Sequence, residues 1–450
     1  MISSKKVMLA LFGMSLSQVC AAEVSQFQLD NGLTVMVKQD TRAPVVTSQV
    51  WYKVGASYEP DGVTGVSHML EHMMFKGTKN LKPGELSKII ARLGGSENAF
   101  TSQDYTAYFQ TIHKDHLKRM FELESERMQS LKLEDAEFQK ERKVVLEERR
   151  MRVEDQPTSR LHERFEAVAY DTNPYRRPVI GWQQDIENYQ LADLQTWYDR
   201  HYAPNNAVLV VVGDIDVASV RAMVNKTLAQ VPARSLDSAK KVADLPPVGE
   251  KRLVMSDERA KVPSLLMGFA VPSWNTSDDK SQAYALEMLA QVLDAGNSSR
   301  LSKELVRGSQ QLSQAGAGYD LYARLPTQFV LSAVPAEGGT LAQAEAALRQ
   351  SIARIVEKGV TKEELARVLA QVEASEVYQQ DSLFFQGMKL GQAFTLGVPS
   401  TEIDAYLTRL SQVTPEQVQQ AAKKWLISER MTVAYLQPKI IEQAAKGGKS

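Results

Sequence analysis

Residues 25 to 55 alternate apolar and polar positions as strands with one buried face do. Phe27, Leu29, Leu33, Val35 and Val37, then Val45, Val46, Val50 and Tyr52, are separated by the turn signals Asp30-Asn31-Gly32 and Asp40-Thr41-Arg42. These segments predict antiparallel strands. The period then becomes helical over 66–75, 84–93, 114–130 and 134–154, before a continuous apolar run, Ala207-Val208-Leu209-Val210-Val211-Val212, stops at Gly213-Asp214. Strands, helices and a closing strand predict one α+β domain over residues 23–232.

Between Pro232 and Pro247 the composition turns to Arg, Ser, Asp, Lys and Ala with Pro246-Pro247, which predicts a solvated linker over 233–250. The pattern then starts again. Val262 to Phe269 reads as a strand, and a helix containing Glu287-Met288-Leu289-Ala290-Gln291 leads through Gly296-Asn297 to Arg300-Leu301-Ser302-Lys303-Glu304-Leu305. In the first half His68-Met69-Leu70-Glu71-His72 leads through Gly77-Thr78 to Glu85-Leu86-Ser87-Lys88-Ile89-Ile90. The two read as a degenerate repeat. The expected architecture is α+β, with two tandem homologous domains at 23–232 and 251–440, each a mostly antiparallel or mixed sheet packed with helices, and a polar tail at 441–450.

The repeat matters because His68, Glu71 and His72 face Glu287, Ala290 and Gln291 in it. In a helix, residues i and i+4 share a face, so His68 and His72 can reach one metal ion. Glu71, directly before the second histidine, suits a carboxylate that takes a proton from water instead of ligating the ion. This order is the inverted form of the His-Glu-x-x-His zinc-hydrolase motif. Gly62-Val63-Thr64-Gly65-Val66-Ser67 supplies a loop and a Ser or Thr cap ahead of it. Only the first domain is expected to hold zinc.

Two histidines are too few for a catalytic zinc site, which takes three protein ligands. The helix Glu134 to Glu154 offers Glu141, Glu147 and Glu148. Glu141 and Glu148 are two turns apart and share a face, while Glu147 is rotated by about 100° from Glu148. Glu137, Glu147 and Glu154 are expected to face water or basic neighbours. Spacing does not select the third ligand, and His113, His116, His162 and His201 stay open as alternatives.

Charge and cysteine usage narrow the setting. The 450 residues carry 53 basic and 54 acidic side chains, a net charge of −1, which excludes a basic field for nucleic acid. Lys5-Lys6, the apolar run Val7 to Met14 and Cys20-Ala21-Ala22 have the form of a secretory signal at 1–22, cleaved after Ala22, and imply a periplasmic destination. Cys20 is the only cysteine and falls inside that segment, so a metal site must use nitrogen and oxygen ligands. No later stretch reaches the ~18 apolar residues of a membrane span.

With these motifs the chain resembles the pitrilysin/insulinase-type inverzincin peptidases, in particular short two-domain bacterial members related to mitochondrial processing peptidase. The resemblance covers essentially all of the chain beyond residue 22. It implies one zinc ion per chain, with Glu148 as the third ligand and Glu141 as the carboxylate that orients the site. Leu93-Gly94-Gly95 with Asn98-Ala99-Phe100-Thr101 resembles the family's substrate-edge strand, which implies that Asn98 and Ala99 bind peptide backbone by strand addition. Active relatives carry an arginine and a tyrosine seven residues apart in the last domain. In them the pair helps hold substrate and polarise its carbonyl; here Arg307 stands at the first position, which implies a substrate-binding role for it, but Gln314 stands at the second, and Tyr319 and Tyr322 are out of register. The resemblance therefore implies a zinc endopeptidase for peptides and unfolded segments, as the zinc-bearing subunit of a heterodimer whose other chain supplies the arginine and tyrosine, with a homodimer as the other arrangement. Its rival is a non-catalytic polypeptide-binding scaffold of the same fold.

Overall fold

The computed structural model describes residues 24–236 and 244–439. The expected leader at 1–22, Cys20 and the tail at 441–450 lie outside the described residues, as does part of the expected linker.

The first half contains strands β1 (Ser25–Gln28), β2 (Thr34–Gln39), β3 (Val45–Tyr52), β4 (Ser96–Thr101), β5 (Thr106–His113) and β6 (Ala207–Gly213). Its helices are α1 (Val66–Met73), α2 (Glu85–Arg92), α3 (Leu117–Ser130), α4 (Asp135–Arg149), α5 (Pro157–Ala169), α6 (Gln183–Asn188), α7 (Leu191–His201) and α8 (Val217–Asn225). The second half contains β7 (Lys251–Asp257), β8 (Ser264–Val271), β9 (Leu312–Gly318), β10 (Thr327–Pro335) and β11 (Met431–Pro438). With them come α9 (Lys280–Asp294), α10 (Leu341–Lys358), α11 (Lys362–Gln380), α12 (Leu383–Leu396), α13 (Ser400–Asp404), α14 (Tyr406–Ser411) and α15 (Pro415–Trp425).

The first sheet has the order β1-β2-β6-β3-β5-β4, and the second β7-β11-β8-β10-β9. Leaving out β1, the two orders correspond strand for strand, including one parallel pair in each, β2 with β6 and β7 with β11. The tandem α+β repeat is thus present in the fold. The closing strand β6 lies between β2 and β3, so these two are not hydrogen-bonded to each other; β1 and β2 form the antiparallel pair. Every residue of β6 is buried, because both faces of the strand are covered, and this accounts for its unbroken apolar run. Its inner face joins Val35, Val50 and Tyr52 under helices α1, α3 and α7.

The outer faces are covered differently. Helix α12 of the second half lies on β3 and β6, where Leu390 packs with Met36, Trp51, Val208, Val210 and Val212. Helix α5 of the first half lies on β7, β8 and β11, with Leu161 and Phe165 against Leu266, Ala434 and Leu436. Each half lends a helix to the other's sheet. Glycines make the approach close enough: a Cβ on Gly391 would stand 2.2 Å from Cε2 of Trp51, and one on Gly268 2.4 Å from Cζ of Phe165. Ion pairs ring the contacts, among them Arg42 with Asp381 at 2.9 Å, Arg259 with Asp155 at 3.0 Å and Lys251 with Asp171 at 2.8 Å. Such exposed pairs contribute about 0–1 kcal/mol each, against roughly 1.5–3 kcal/mol for each large apolar side chain buried, so the apolar seats dominate.

Gly391→Ala is expected to lower stability by about 1–3 kcal/mol through the clash with Trp51. A denaturant midpoint equal to that of the unsubstituted protein would show that α12 is not seated on Trp51.

Candidate metal centre

The centre begins with a short helix whose start is held from outside. Gly65, at φ 82°, is the N-cap of α1, and no side chain of the preceding loop caps it. Instead the carboxylate of Glu59, 2% exposed, accepts hydrogen bonds from the backbone N–H of Gly65 at 2.6 Å and of Ser67 at 2.8 Å. The Ser or Thr cap expected from 62–67 is therefore replaced by a glutamate further upstream, which satisfies the same free N–H groups. Burial pushes the Glu59 carboxyl up to about 7, against the pull of those two bonds. The indole N–H of Trp197 on α7 donates to Ser67 Oγ at 3.0 Å, so the helix is fixed on two sides.

Helix α4 packs against α1 and brings two carboxylates to the histidines. Glu148 Oε2 lies 3.3 Å from His72 Nε2 and 3.7 Å from His68 Nε2. One ligand atom from each of His68, His72 and Glu148 falls within 4.8 Å of the others, and among the described residues this is the one group of three that gathers in this way. On the far side of the ring, His72 Nδ1 is 3.2 Å from Glu141 Oε2, and Glu141 Oε1 is 2.6 Å from Lys76 Nζ. Glu148 Oε1 is paired with Arg152 Nη1 at 2.7 Å. Both carboxylates are thus tied by one oxygen to a cation and present the other to a histidine. His68 Nδ1 is buried without a hydrogen-bond partner.

The charges follow from this packing. Burial, then the neighbouring His72, lowers His68 to about 4. Burial also works against charge on His72, but Glu148 and Glu141 outweigh it and raise that histidine, while the hydrogen bond with His72 holds Glu148 low. His68 is therefore neutral near pH 7, with its Nε2 facing Oε2 of Glu148. Two imidazole nitrogens and a carboxylate oxygen converging on one point fit a divalent metal ion, and the set matches the His₂Glu type that leaves a further position open. Glu71 stands beside them; burial pushes its carboxyl up, and its Oε2 accepts a 2.6 Å hydrogen bond from Thr101 Oγ1.

Thr101 ends β4, which pairs with β5 alone and forms one edge of the first sheet. Asn98 and Ala99 lie on this edge strand. The N–H of Ala99 donates to Asn98 Oδ1 at 2.9 Å.

The other candidates lie elsewhere. Glu147 is exposed beside Arg150, Glu137 pairs with Lys140, and Glu154 pairs with Arg149. His113 is next to Asp115 at the end of β5 with His116 close by, His162 is on α5, and the His201 ring is 4.2 Å from that of Trp197. The Arg307 guanidinium donates to the Asn297 carbonyl. Gln314, on β9, lines a groove with Thr158 and His162. Among the described residues no hydrogen bond or ion pair links Arg307 or Gln314 to the His68 group. The sequence reading missed Glu59, Lys76, Thr101 and Arg152. Lys76 and Arg152 follow His72 and Glu148 by four residues, a helical spacing that could have flagged them.

Two family models cover most of the chain: residues 34–182 match the insulinase family (peptidase family M16), and residues 188–372 match the peptidase M16 inactive domain. The zinc protease PqqE of Helicobacter pylori is 37% identical over 294 residues, 64% of each chain. The uncharacterized zinc protease YmxG of Bacillus subtilis is 24% identical over 92% of this chain and 98% of its own. Among solved structures, a protease from Helicobacter pylori superposes with TM-score 0.86 at 28% identity, covering 93% of this chain and all of the other. The periplasmic protease PqqL from Escherichia coli gives TM-score 0.77 at 21% identity, with 92% of this chain matched to 48% of that one.

Glu148→Gln is expected to abolish or strongly weaken binding of a metal ion, and Glu141→Gln to weaken it about 10- to 100-fold by releasing the His72 ring. Calorimetric zinc titration of the purified variants reads this out. A Glu148→Gln variant that binds as tightly as the parent would remove Glu148 from the ligand set.

Proposed function

Because the chain belongs to the insulinase family, peptidase family M16, we propose that it is a zinc-dependent endopeptidase acting on peptides and unfolded polypeptide segments. The observation that carries this reading is the meeting of His68 Nε2, His72 Nε2 and Glu148 Oε2 beside the half-buried, hydrogen-bonded carboxylate of Glu71. His68, His72 and Glu148 would hold the ion, and Glu141 would keep His72 in the tautomer that presents Nε2 to it. A zinc ion bound there supplies Lewis acidity, which polarises a carbonyl and acidifies water.

Glu71 does the proton work. Its half-buried carboxylate takes a proton from the attacking water and passes it to the leaving amine, and the Thr101 hydroxyl holds Oε2 in place. Because Thr101 belongs to β4, the strand that receives the peptide also carries the group that orients the base. Ala99 offers its backbone groups and Asn98 its carboxamide on this free edge, and the peptide adds as a further strand.

Gln314 at the tyrosine position supports an assembly in which a second chain supplies the complete arginine and tyrosine pair; this chain also spans about half of PqqL. The basic and apolar N-terminal pattern supports export to the periplasm. The scaffold reading draws on the match to an inactive domain, but that match starts at residue 188, beyond His68, Glu71, His72 and Glu148.

Glu71→Gln is expected to keep the metal ion and to lose roughly 10²–10⁴-fold in kcat/KM on an unstructured peptide. Cleavage at the parent rate would show that Glu71 is not the base, and absence of cleavage by the zinc-loaded parent alone and with its partner chain would favour the scaffold.

A further inference from the structure

Arg324, on the connection between β9 and β10, is a side chain of the second half that reaches into a buried polar cluster of the first. It is 19% exposed. Its Nε donates to Asp104 Oδ1 at 2.8 Å and its Nη2 to Ser57 Oγ at 2.7 Å, while Ser57 Oγ donates to the same Asp104 oxygen at 2.7 Å. The guanidinium lies 4.2 Å from the centre of the Tyr58 ring. The other oxygen of Asp104 accepts from the Tyr175 hydroxyl, which in turn accepts from the N–H of Leu325 at 3.2 Å.

Asp104 is 4% exposed, and Arg324 is the cation that pairs with it. A buried carboxylate stripped of its cation is strongly unfavourable, so the position of Asp104 depends on a residue from the other half. What Asp104 anchors is the turn between β4 and β5. The carbonyls of Ser102 and Gln103 accept from the N–H groups of Ala56 at 3.1 Å and Ser57 at 2.7 Å, and Gln103 Nε2 donates to the Arg177 carbonyl at 2.8 Å. A Cβ on Gly55 would stand 2.3 Å from the Ser102 oxygen, so the turn lies directly on the backbone after β3. Thr101, whose hydroxyl holds Oε2 of Glu71, is the residue just before that turn.

We propose that Arg324 is a positioning residue for Glu71: by pairing with Asp104 and bridging it to Ser57 it fixes the turn after β4, and through the turn it places the Thr101 hydroxyl and the end of the free edge. The second half, in which no three ligand atoms gather among the described residues, thereby takes part in the chemistry of the first. The exposed pairs Arg42 with Asp381 and Arg259 with Asp155 also join the halves, but they touch neither β4 nor its turn. The inference rests on the reading of the chain as a zinc peptidase in which Glu71 moves the proton.

The test compares Arg324→Met with the parent and repeats the comparison in a Thr101→Val background, all zinc-loaded, on an unstructured peptide. Arg324→Met is expected to bind zinc as the parent does, to lose about tenfold in kcat and to change KM by less than about twofold, with Arg324→Lys recovering part of the loss. In the Thr101→Val background, where the hydroxyl is already gone, the same substitution is expected to lower kcat by less than about twofold. An equal loss in both backgrounds, a loss confined to KM, or no loss at all overturns the proposal. Backbone hydrogen exchange gives a reading that needs no cleavage: amides of 96–106 are expected to exchange about tenfold faster in Arg324→Met while those of α1 and α4 keep their rates. Unchanged exchange there, or a rise along the whole chain, overturns it as well. Should Arg324→Met fail to fold, Arg324→Lys carries the same comparisons. A zinc-loaded parent that does not cleave sinks the peptidase reading, and exchange over 96–106 then decides by itself whether Arg324 holds the edge.

Discussion

The outer face of each sheet is covered by a helix that belongs to the other half, and this exchange governs the rest of the molecule. Trp51 on β3 needs α12, and Gly268 on β8 needs the ring of Phe165 on α5. Neither half can bury both faces of its sheet alone, so the two are bound into one cooperative unit. The exchange also ties the metal group to the second half, because α5 follows directly on the segment that carries Glu141, Glu148 and Arg152.

Within that frame the centre is built by pairing each carboxylate twice. Glu148 lies between Arg152 and the two histidines, and Glu141 between Lys76 and His72. A carboxylate held by one oxygen has little freedom at the other, so the ligand atoms are positioned before any ion arrives. Glu59 does the same for the backbone, holding the first turn of α1 through Gly65 and Ser67. The second half keeps the sheet order and changes the side chains: among the described residues three ligand atoms gather only in the first half.

Much of this was legible in the sequence, and the boundary has a physical basis. The i,i+4 histidines, the amphipathic helices and the repeat are local patterns, and the strand and helix spans follow them closely. The insertion of β6 between β2 and β3 is not local, because strand order is set by contacts far apart in the chain. Nor does an amphipathic helix state which sheet it will cover, so the exchange of α5 and α12 could not be read. Glu59 lies upstream of the residues that adjoin the helix, where a cap is expected, and nothing in the spacing of Thr101 marks a hydroxyl that meets Glu71. For Glu148, spacing gave a face of α4 and the family resemblance gave the residue.

The hydrogen bond from the Ala99 N–H to its neighbour Asn98 has a consequence for the resting protein. An exposed strand edge welcomes any extended chain, including another molecule of the same protein, and is a starting point for aggregation. On β4 the Asn98 carboxamide occupies one of the open backbone donors and works as a removable stopper. Any extended chain that pairs with β4 has to displace it first.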